Sequence, residues 1–588
     1  MSAPPPGPSH GALQRLFFGR RTPRGLETVA IPGGRTLYAA GDRAEHLFVL
    51  KSGRLAVLRS GAAGERVLGV IRPGEPVGEM ALIAGAPHSA TVIALRDSEV
   101  LALPRADVAR EARLRPDLMA ELAALTVRRA REGEADVGSA TVFGLVGASP
   151  GVDVRAFVER LAARVRALGD TAVVAGAEML AEGPAALTRL EAAHDIVLLS
   201  AEQGELEWRG VVGRQVDQLI LVGRGGEAPP QLPESFAARQ LRRHRLVDVV
   251  LLHEGDGARR GGAAAWLQAA SAAHVFHVRE GAYRELARLA RVITGRSVGL
   301  VLSGGGARAY AHIGAIQALR EADQPIDLVG GASMGAIVAA GVAMGWDERE
   351  LDARVRRAFV ESNPLGDLAV PLIGLSRGER MRRRLREHFG EAEFADLELP
   401  FFCVSSNLTT GEPQVHRTGR VRRALAASAA LPGVAPPVLE GGDVLVDGGV
   451  LANLPTDVMR AWHRGPVVGC DVALLEELTP EDVERPSLLR FIASGAWRRG
   501  PPIVALLIRA ATVTTTRDFA AARAASDLVI APNIEEVGLQ EWRKYQPAMD
   551  AGRRAMASAL ETLDRPLCDL RRPPPRPPSA AADSTEAP

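Results

Sequence analysis

The chain has 588 residues, 47% of them apolar, and its 71 Lys+Arg against 70 Asp+Glu leave a net charge of +1. At roughly 100–200 residues per domain the length suggests three or four domains, and the apolar share suffices for several buried cores. The charge balance and an aromatic share of only 4% exclude a nucleic-acid binder that works through bulk charge or base stacking.

Residues 1–24 open on MSAPPPGPSHGALQRLFFGR and read as a disordered tail, because Pro and Gly dominate; LFF is too short for a signal-peptide core. From Glu27 to Pro104, runs such as TLYAAGDRAEHLFVLKSGRLAVLRS alternate apolar and polar residues between glycine turns, which predicts a small β-roll. Arg105 to about Glu134, rich in Ala, Leu, Arg and Glu, reads as helix and closes a first domain at 25–135. TVFGLVGA, TAVVAG, DIVLLSAE, DQLILVG and LVDVVLLHE are apolar runs with helical stretches between them. That alternation predicts a parallel sheet with helices on its faces, an α/β domain over 136–295. Its GLVGASPGVDV stretch is laid out like a phosphate loop but lacks the Lys and Ser/Thr that nucleotide hydrolysis needs.

A strand–glycine–helix plan then occurs twice, in SVGLVLSGGGARAYAHIGAIQALREA and IDLVGGASMGAIVAAGVAMG, followed by FFCVSSNL, VLVDGG and PVVGCDV. This is a second α/β domain, over 296–565. The tail 566–588, which contains RRPPPRPPSAAADSTEAP, reads as disordered. Cys403, Cys470 and Cys568 form neither a metal spacing nor a disulfide framework, which fits a reducing compartment. No run reaches the ~18 apolar residues of a spanning helix. The chain therefore reads as cytoplasmic, with peripheral membrane contact left open. MRRRLREHFG and RRHRL read as solvated basic faces or headgroup contacts. IVALLIRAATV reads as a core helix or an apolar lip for acyl chains.

The chemistry concentrates in the last α/β domain. Ser333 lies between Gly331 and Gly335 in G-x-S-x-G, at the turn from an apolar strand into a helix. Flanking glycines permit a sharp bend, and the helix N-terminus carries roughly half a positive charge, which favours a developing alkoxide. Ser303 to Arg308, SGGGAR, is a glycine turn between strand and helix whose N–H groups suit a phosphate or an oxyanion. A dinucleotide fingerprint would need glycine at Ala309, and no Walker lysine follows. Asp447 ends the strand VLVD, before Gly448 and Gly449. It is either the base for the serine or a turn aspartate, D-G being a common turn pair. No histidine follows Ser333 closely.

GGGARAYAHIGAIQAL, GASMG, DGG, FFCVSSNLTTGE and SAALPGVAPP together resemble the patatin-like phospholipases, over nearly all of residues 297–565. The resemblance implies a Ser–Asp dyad, with Ser333 as nucleophile and Asp447 as base. It places the oxyanion hole at the backbone of Gly304, Gly305, Gly306 and Ala307, with Arg308 beside it. It also implies acyl transfer through an acyl-enzyme with no metal and no required cofactor. Two departures, Ala309 for glycine and Ala452 in the ANLP that follows DGG, remove no reacting group. AAGDRAEHLFVLKSGRLAVL and GEMALIAGAPHSATV resemble a cyclic-nucleotide-binding domain. Gly78 and Glu79 match its phosphate cradle and ribose contact. His88, followed by Ser89, stands where that module carries an arginine, and a neutral imidazole cannot replace a bidentate guanidinium. A cyclic nucleotide is therefore a doubtful effector.

The order of roll, α/β domain and HVFHVREGAYRELARLARVITGRSVGLVLSGGGAR is similar to the neuropathy target esterase branch. That resemblance implies a phospholipid or lysophospholipid substrate and no nucleic acid. The branch usually has a membrane helix and more than one roll; neither stands in this chain. The alternatives are a regulatory binding protein with an esterase-like domain, and a general carboxylesterase or neutral-lipid lipase.

Overall fold

Alternation of apolar and polar residues between glycine turns builds an antiparallel roll of six strands. These are β1 (Glu27–Ile31), β2 (Thr36–Tyr38), β3 (His46–Gly61), β4 (Gly64–Ile71), β5 (Pro76–Val77) and β6 (Thr91–Pro104). Long β3 and β6 form its spine. The computed structural model describes residues 11–571 except 20, 22, 62–63, 132–140, 183–184, 232–245, 256–260, 362–365, 368, 370–372, 463–464, 474–514 and 539–540. It divides into two units between Thr294 and Gly295. Residues 242–245 of the RRHRL run and all of IVALLIRAATV lie outside the described residues.

Part of the opening stretch differs from the expected tail. Gly11–Phe18 is a helix that buries Leu13, Leu16 and Phe17 in the roll's core, and its first N–H groups donate to Glu121. The apolar spacing i, i+3, i+4 outweighs the Pro/Gly composition around it. The helix expected after the roll is two, Arg105–Leu114 and Pro116–Arg131. Pro116 lacks an N–H and suits a first helical position.

The apolar runs of the middle region are strands buried along nearly their whole length, as parallel strands covered on both faces must be. They are β7 (Val142–Gly147), β8 (Ala172–Ala175), β9 (Ile196–Ala201), β10 (Gln218–Arg224), β11 (Val247–His253) and β12 (His274–Arg279). They lie parallel in the order β12-β11-β10-β7-β9-β8. A buried charge cluster ties the roll to this sheet. Asp217 receives Arg54 at 2.8 Å and Arg96 at 3.6 Å, and Arg96 also meets Glu191 at 2.6 Å. The N–H groups of Thr141 and Val142 donate to Asp217, each at 3.0 Å.

The second unit is a mixed sheet of β13 (Gly299–Leu302), β14 (Leu328–Ala332), β15 (Phe401–Asn407), β16 (Glu412–His416), β17 (Val438–Glu440), β18 (Asp443–Asp447), β19 (Val467–Cys470) and β20 (Leu528–Ile530). Its order is β17-β18-β15-β14-β13-β19-β20, with β16 paired to β15. Strands β15, β14, β13, β19 and β20 run parallel; β16, β17 and β18 run antiparallel to their neighbours. The helix Ser333–Ala343 is buried from Met334 onward, which explains why its sequence is apolar all round.

The helix Tyr310–Glu321 crosses the last long helix, Tyr545–Glu561, at a reciprocal glycine contact. A Cβ on Gly314 would stand 1.8 Å from the Met549 carbonyl oxygen, and one on Gly552 1.9 Å from that of Ala311. Leu567 is buried and Asp569 accepts from Arg296 Nε at 2.8 Å, so the ordered chain runs past 565; residues 572–588 lie outside the described residues. In the basic helix Glu379–Phe389 only Leu385 and Phe389 are buried, as a solvated face requires.

Candidate active site

Ser333 sits at the carboxyl end of β14, where the backbone turns into a helix at φ +52°. The left-handed region costs a residue with a Cβ about 1–3 kcal/mol unless neighbours hold it there. Here they do. The Ser333 N–H donates to Ser428 Oγ at 2.9 Å, and Ser428 Oγ donates onward to the Val404 carbonyl at 2.7 Å. Gly331 and Gly335 let the end of β13 pass close by: a Cβ on Gly331 would lie 2.5 Å from the Leu302 oxygen, and one on Gly335 2.4 Å from the Ser303 oxygen.

The antiparallel pairing of β18 with β15 sets Asp447 opposite Ser405 and brings its carboxylate to Ser333. The Ser333 hydroxyl donates to Asp447 Oδ2 at 2.6 Å, and the Gly449 N–H donates to Oδ1 at 2.8 Å. The Asp447 N–H donates to the Ala430 carbonyl at 2.9 Å. Gly448 is pressed against β15, where a Cβ would lie 2.1 Å from the Val404 oxygen. Burial pushes the Asp447 carboxyl up to about 6, against the pull of the Ser333 and Gly449 bonds. A carboxylate of that basicity on a serine hydroxyl can exchange a proton near neutral pH.

The glycine loop follows β13. Gly304 lies against Ser333: a Cβ there would be 3.0 Å from Ser333 Cβ and 2.6 Å from Asn453 Oδ1. Asn453 straps the loop, its Nδ2 donating to the Gly304 oxygen at 3.3 Å while its own carbonyl accepts from the Gly304 N–H at 3.3 Å. Gly305, Gly306 and Ala307 lead into a short 3-10 turn, with Gly306 at φ +54°. The Arg308 N–H donates to the Gly305 carbonyl at 3.1 Å, and its Nε to the Val537 carbonyl at 2.6 Å. Ser428 and Asn453 were not legible as site residues. Each is an ordinary polar residue whose partner lies 95 or 149 positions away.

The other motifs are turned to different uses. In the roll, Gly78 (φ +89°) precedes the helix Glu79–Ala84, and Glu79 and His88 are buried. The His88 ring stacks on Tyr38 with centroids 3.6 Å apart and planes at 12°, and a Cβ on Gly78 would touch His88 Cε1 at 3.4 Å. Ser89 is exposed. In the middle sheet, the loop after β7 lies at the point where strand order reverses, where ligands commonly bind. The helix Val154–Ala167 that follows has its N-terminus filled by the chain's own carboxylates. Asp153 accepts from the Ala156 N–H at 2.8 Å and Glu202 from the Arg155 N–H at 2.9 Å. Among the described residues, no group of three or more His, Cys, Asp or Glu could hold a metal ion, and no helix is long and apolar enough to cross a membrane.

Comparison with known proteins converges on the same regions. Residues 300–460 match the patatin-like phospholipase family and residues 28–113 the cyclic nucleotide-binding domain. An uncharacterized NTE family protein of Mycobacterium tuberculosis is 32% identical over 563 residues, covering 91% of this chain and 92% of that protein. Human patatin-like phospholipase domain-containing protein 6 is 29% identical over 546 residues, covering 80% of this chain but 39% of the human protein. The crystal structure of Thermus thermophilus catabolite activator protein aligns with 27% of this chain and 64% of its own, at 30% identity and a TM-score of 0.18.

Proposed function

Because the chain belongs to the NTE family of patatin-like phospholipases, and is accordingly a lipid ester hydrolase, we propose that Ser333 and Asp447 form its catalytic dyad and that its substrate is a lysophospholipid or phospholipid. The observation that carries this reading is the 2.6 Å bond from the Ser333 hydroxyl to a buried carboxylate. Asp447 Oδ2 takes the hydroxyl proton as Ser333 Oγ attacks the ester carbonyl carbon. The oxyanion forms against the N–H groups of Gly305, Gly306 and Ala307, since those of Gly304 and Arg308 already have partners. Asp447 passes its proton to the departing glycerol oxygen, leaving an acyl-enzyme. A water gives Asp447 a proton and attacks the acyl carbon; the fatty acid leaves and Ser333 recovers its proton. No step uses a metal or cofactor.

The three cysteines are free, which supports a reducing, cytoplasmic setting. The roll serves as a structural module, because an aromatic pair holds the place of the phosphate-binding arginine.

The test is fatty-acid release from lysophosphatidylcholine, phosphatidylcholine and triacylglycerol, with a chelator present. Ser333→Ala and Asp447→Asn each lose ~10⁴-fold or more in kcat; a residual rate near wild type in Asp447→Asn would assign the base elsewhere. Triacylglycerol turned over fastest would replace the phospholipid reading with a neutral-lipid lipase. Cyclic AMP or cyclic GMP in the same assay leaves the rate unchanged.

A further inference from the structure

The glycine loop has no side chains of its own from Gly304 to Gly306, so its shape must be imposed from outside. Asn453 holds one side of the Ser303–Gly304 peptide, through the Gly304 N–H. The other side is held by a histidine. His312, on the helix Tyr310–Glu321, is fully buried. Its Nε2 lies 2.8 Å from the Ser303 carbonyl oxygen and its Nδ1 3.0 Å from Cys470 Sγ. A carbonyl only accepts, so Nε2 carries the hydrogen; Nδ1 then has a free lone pair, and the Cys470 thiol donates to it.

Burial pushes the imidazole down to about 4, opposed by its bond to Ser303, and pushes the Cys470 thiol up. Both groups are neutral at neutral pH. The remaining polar groups of Ser303 are tied to the same strand end. Its N–H donates to the Cys470 carbonyl at 3.1 Å, and its Oγ accepts from the Val472 N–H at 2.9 Å. The Ser303 oxygen is also the atom that packs against Gly335 in the nucleophile's helix. A shift of that carbonyl therefore moves the oxyanion donors relative to Ser333.

We propose that His312 is a positioning residue of the hydrolytic site: its Nε2–H clamps the Ser303 carbonyl, and the Cys470 thiol fixes the tautomer that makes the clamp possible. The proposal rests on the reading of Ser333 as nucleophile and of the glycine loop as oxyanion site. It gives the buried histidine a part in catalysis without contact with substrate.

The experiment uses the full chain with His312→Ala, His312→Gln, Cys470→Ala, Cys470→Ser and Ser333→Ala, assayed on lysophosphatidylcholine. Active sites are titrated with a fluorophosphonate so that kcat is expressed per competent site. Misplacement of a reacting group by ~1 Å costs ~10²-fold, so His312→Ala is expected to lower kcat ~30–100-fold with KM within about threefold. His312→Gln retains an N–H donor and recovers ~10-fold of that loss. Cys470→Ser keeps a donor to Nδ1 and stays within about threefold of wild type, whereas Cys470→Ala falls ~5–10-fold.

Unchanged kcat per site in His312→Ala would overturn the proposal. So would fewer titrated sites at an unchanged rate per site, which is what a purely structural histidine gives. If His312→Ala does not fold, the cysteine pair decides: equal kcat in Cys470→Ala and Cys470→Ser refutes the tautomer lock. Activity in Ser333→Ala would instead sink the underlying assignment of the site, whatever the histidine variants do.

Discussion

The side chain of Asp217 is 4% exposed and Asp447 as a whole 3%, one in each unit of the chain. Burial raises the carboxyl pKa of each, and their neighbours decide the outcome. Beside Asp217, Arg54 and Arg96 together with the N–H groups of Val142 and Thr141 overcome burial and hold the carboxyl at about 2. Asp447 has a serine hydroxyl and one backbone N–H, burial prevails, and the carboxyl rises to about 6. A carboxylate saturated with cations makes a joint between roll and sheet. A carboxylate left short of cations remains basic enough to take a proton.

The contrast breaks most visibly at Asp217. Asp217→Ala leaves two buried guanidiniums facing each other, and loss of one partner from a buried ion pair costs about 3–5 kcal/mol. Scanning calorimetry of the full chain should show the first unit melting earlier, with hydrogen exchange in Val142–Gly147 accelerated. No change in either would mean that the cluster contributes nothing to the joint. The pH dependence has a defined sign. A lowered folded-state pKa contributes about 2 kcal/mol above the unfolded value near 3.8, lost as pH falls toward about 2.

Asp447→Asn should act in the opposite direction on stability while removing activity. A folded-state pKa raised to about 6 means that the charged form costs the fold about 3 kcal/mol above that pH and nothing below about 4. The variant is therefore expected to stabilise the second unit at pH 8 by up to that amount, seen as a higher melting point, with the gain disappearing at pH 4. A destabilised variant at pH 8 would show that the bonds to Ser333 and Gly449 outweigh desolvation.

The smallest effect sharpens the same point in the wild type. kcat/KM should fall ~10-fold per pH unit below about 6, as Asp447 takes up its proton. An acid limb near 4 instead would put the carboxyl in a more polar setting than its burial implies. His312, held neutral down to about 4, contributes no limb in that range.

The proposed pair, Ser333 and Asp447, was legible because its signals are local. G-x-S-x-G and D-G-G each place a side chain at a strand end, and the resemblance to patatin-like phospholipases selected Asp447 as base over the turn reading. What holds the pair was not legible. Ser428, Asn453 and Cys470 meet Ser333, Gly304 and His312 across 95, 149 and 158 positions, and none has a spacing that points to its partner. Arg54, Arg96 and Asp217 look like scattered surface charges until two different sheets are packed together. In the opening segment composition misled, because a short helix with four buried apolar residues lay inside a Pro- and Gly-rich stretch.

The crossing at Gly314 and Gly552 sets a schedule for the making of the protein. Ser333 and Asp447 are both translated before residue 450, but the helix that carries Gly314 packs against Tyr545–Glu561, which follows them in the chain. Domains form from the N-terminus during synthesis, and the first unit is complete at Thr294, long before the ribosome reaches that last helix. The hydrolytic unit must wait with that glycine contact unmade until Gly552 has emerged. A polypeptide interrupted before Tyr545 therefore carries Ser333 and Asp447 without the helix that packs against Gly314.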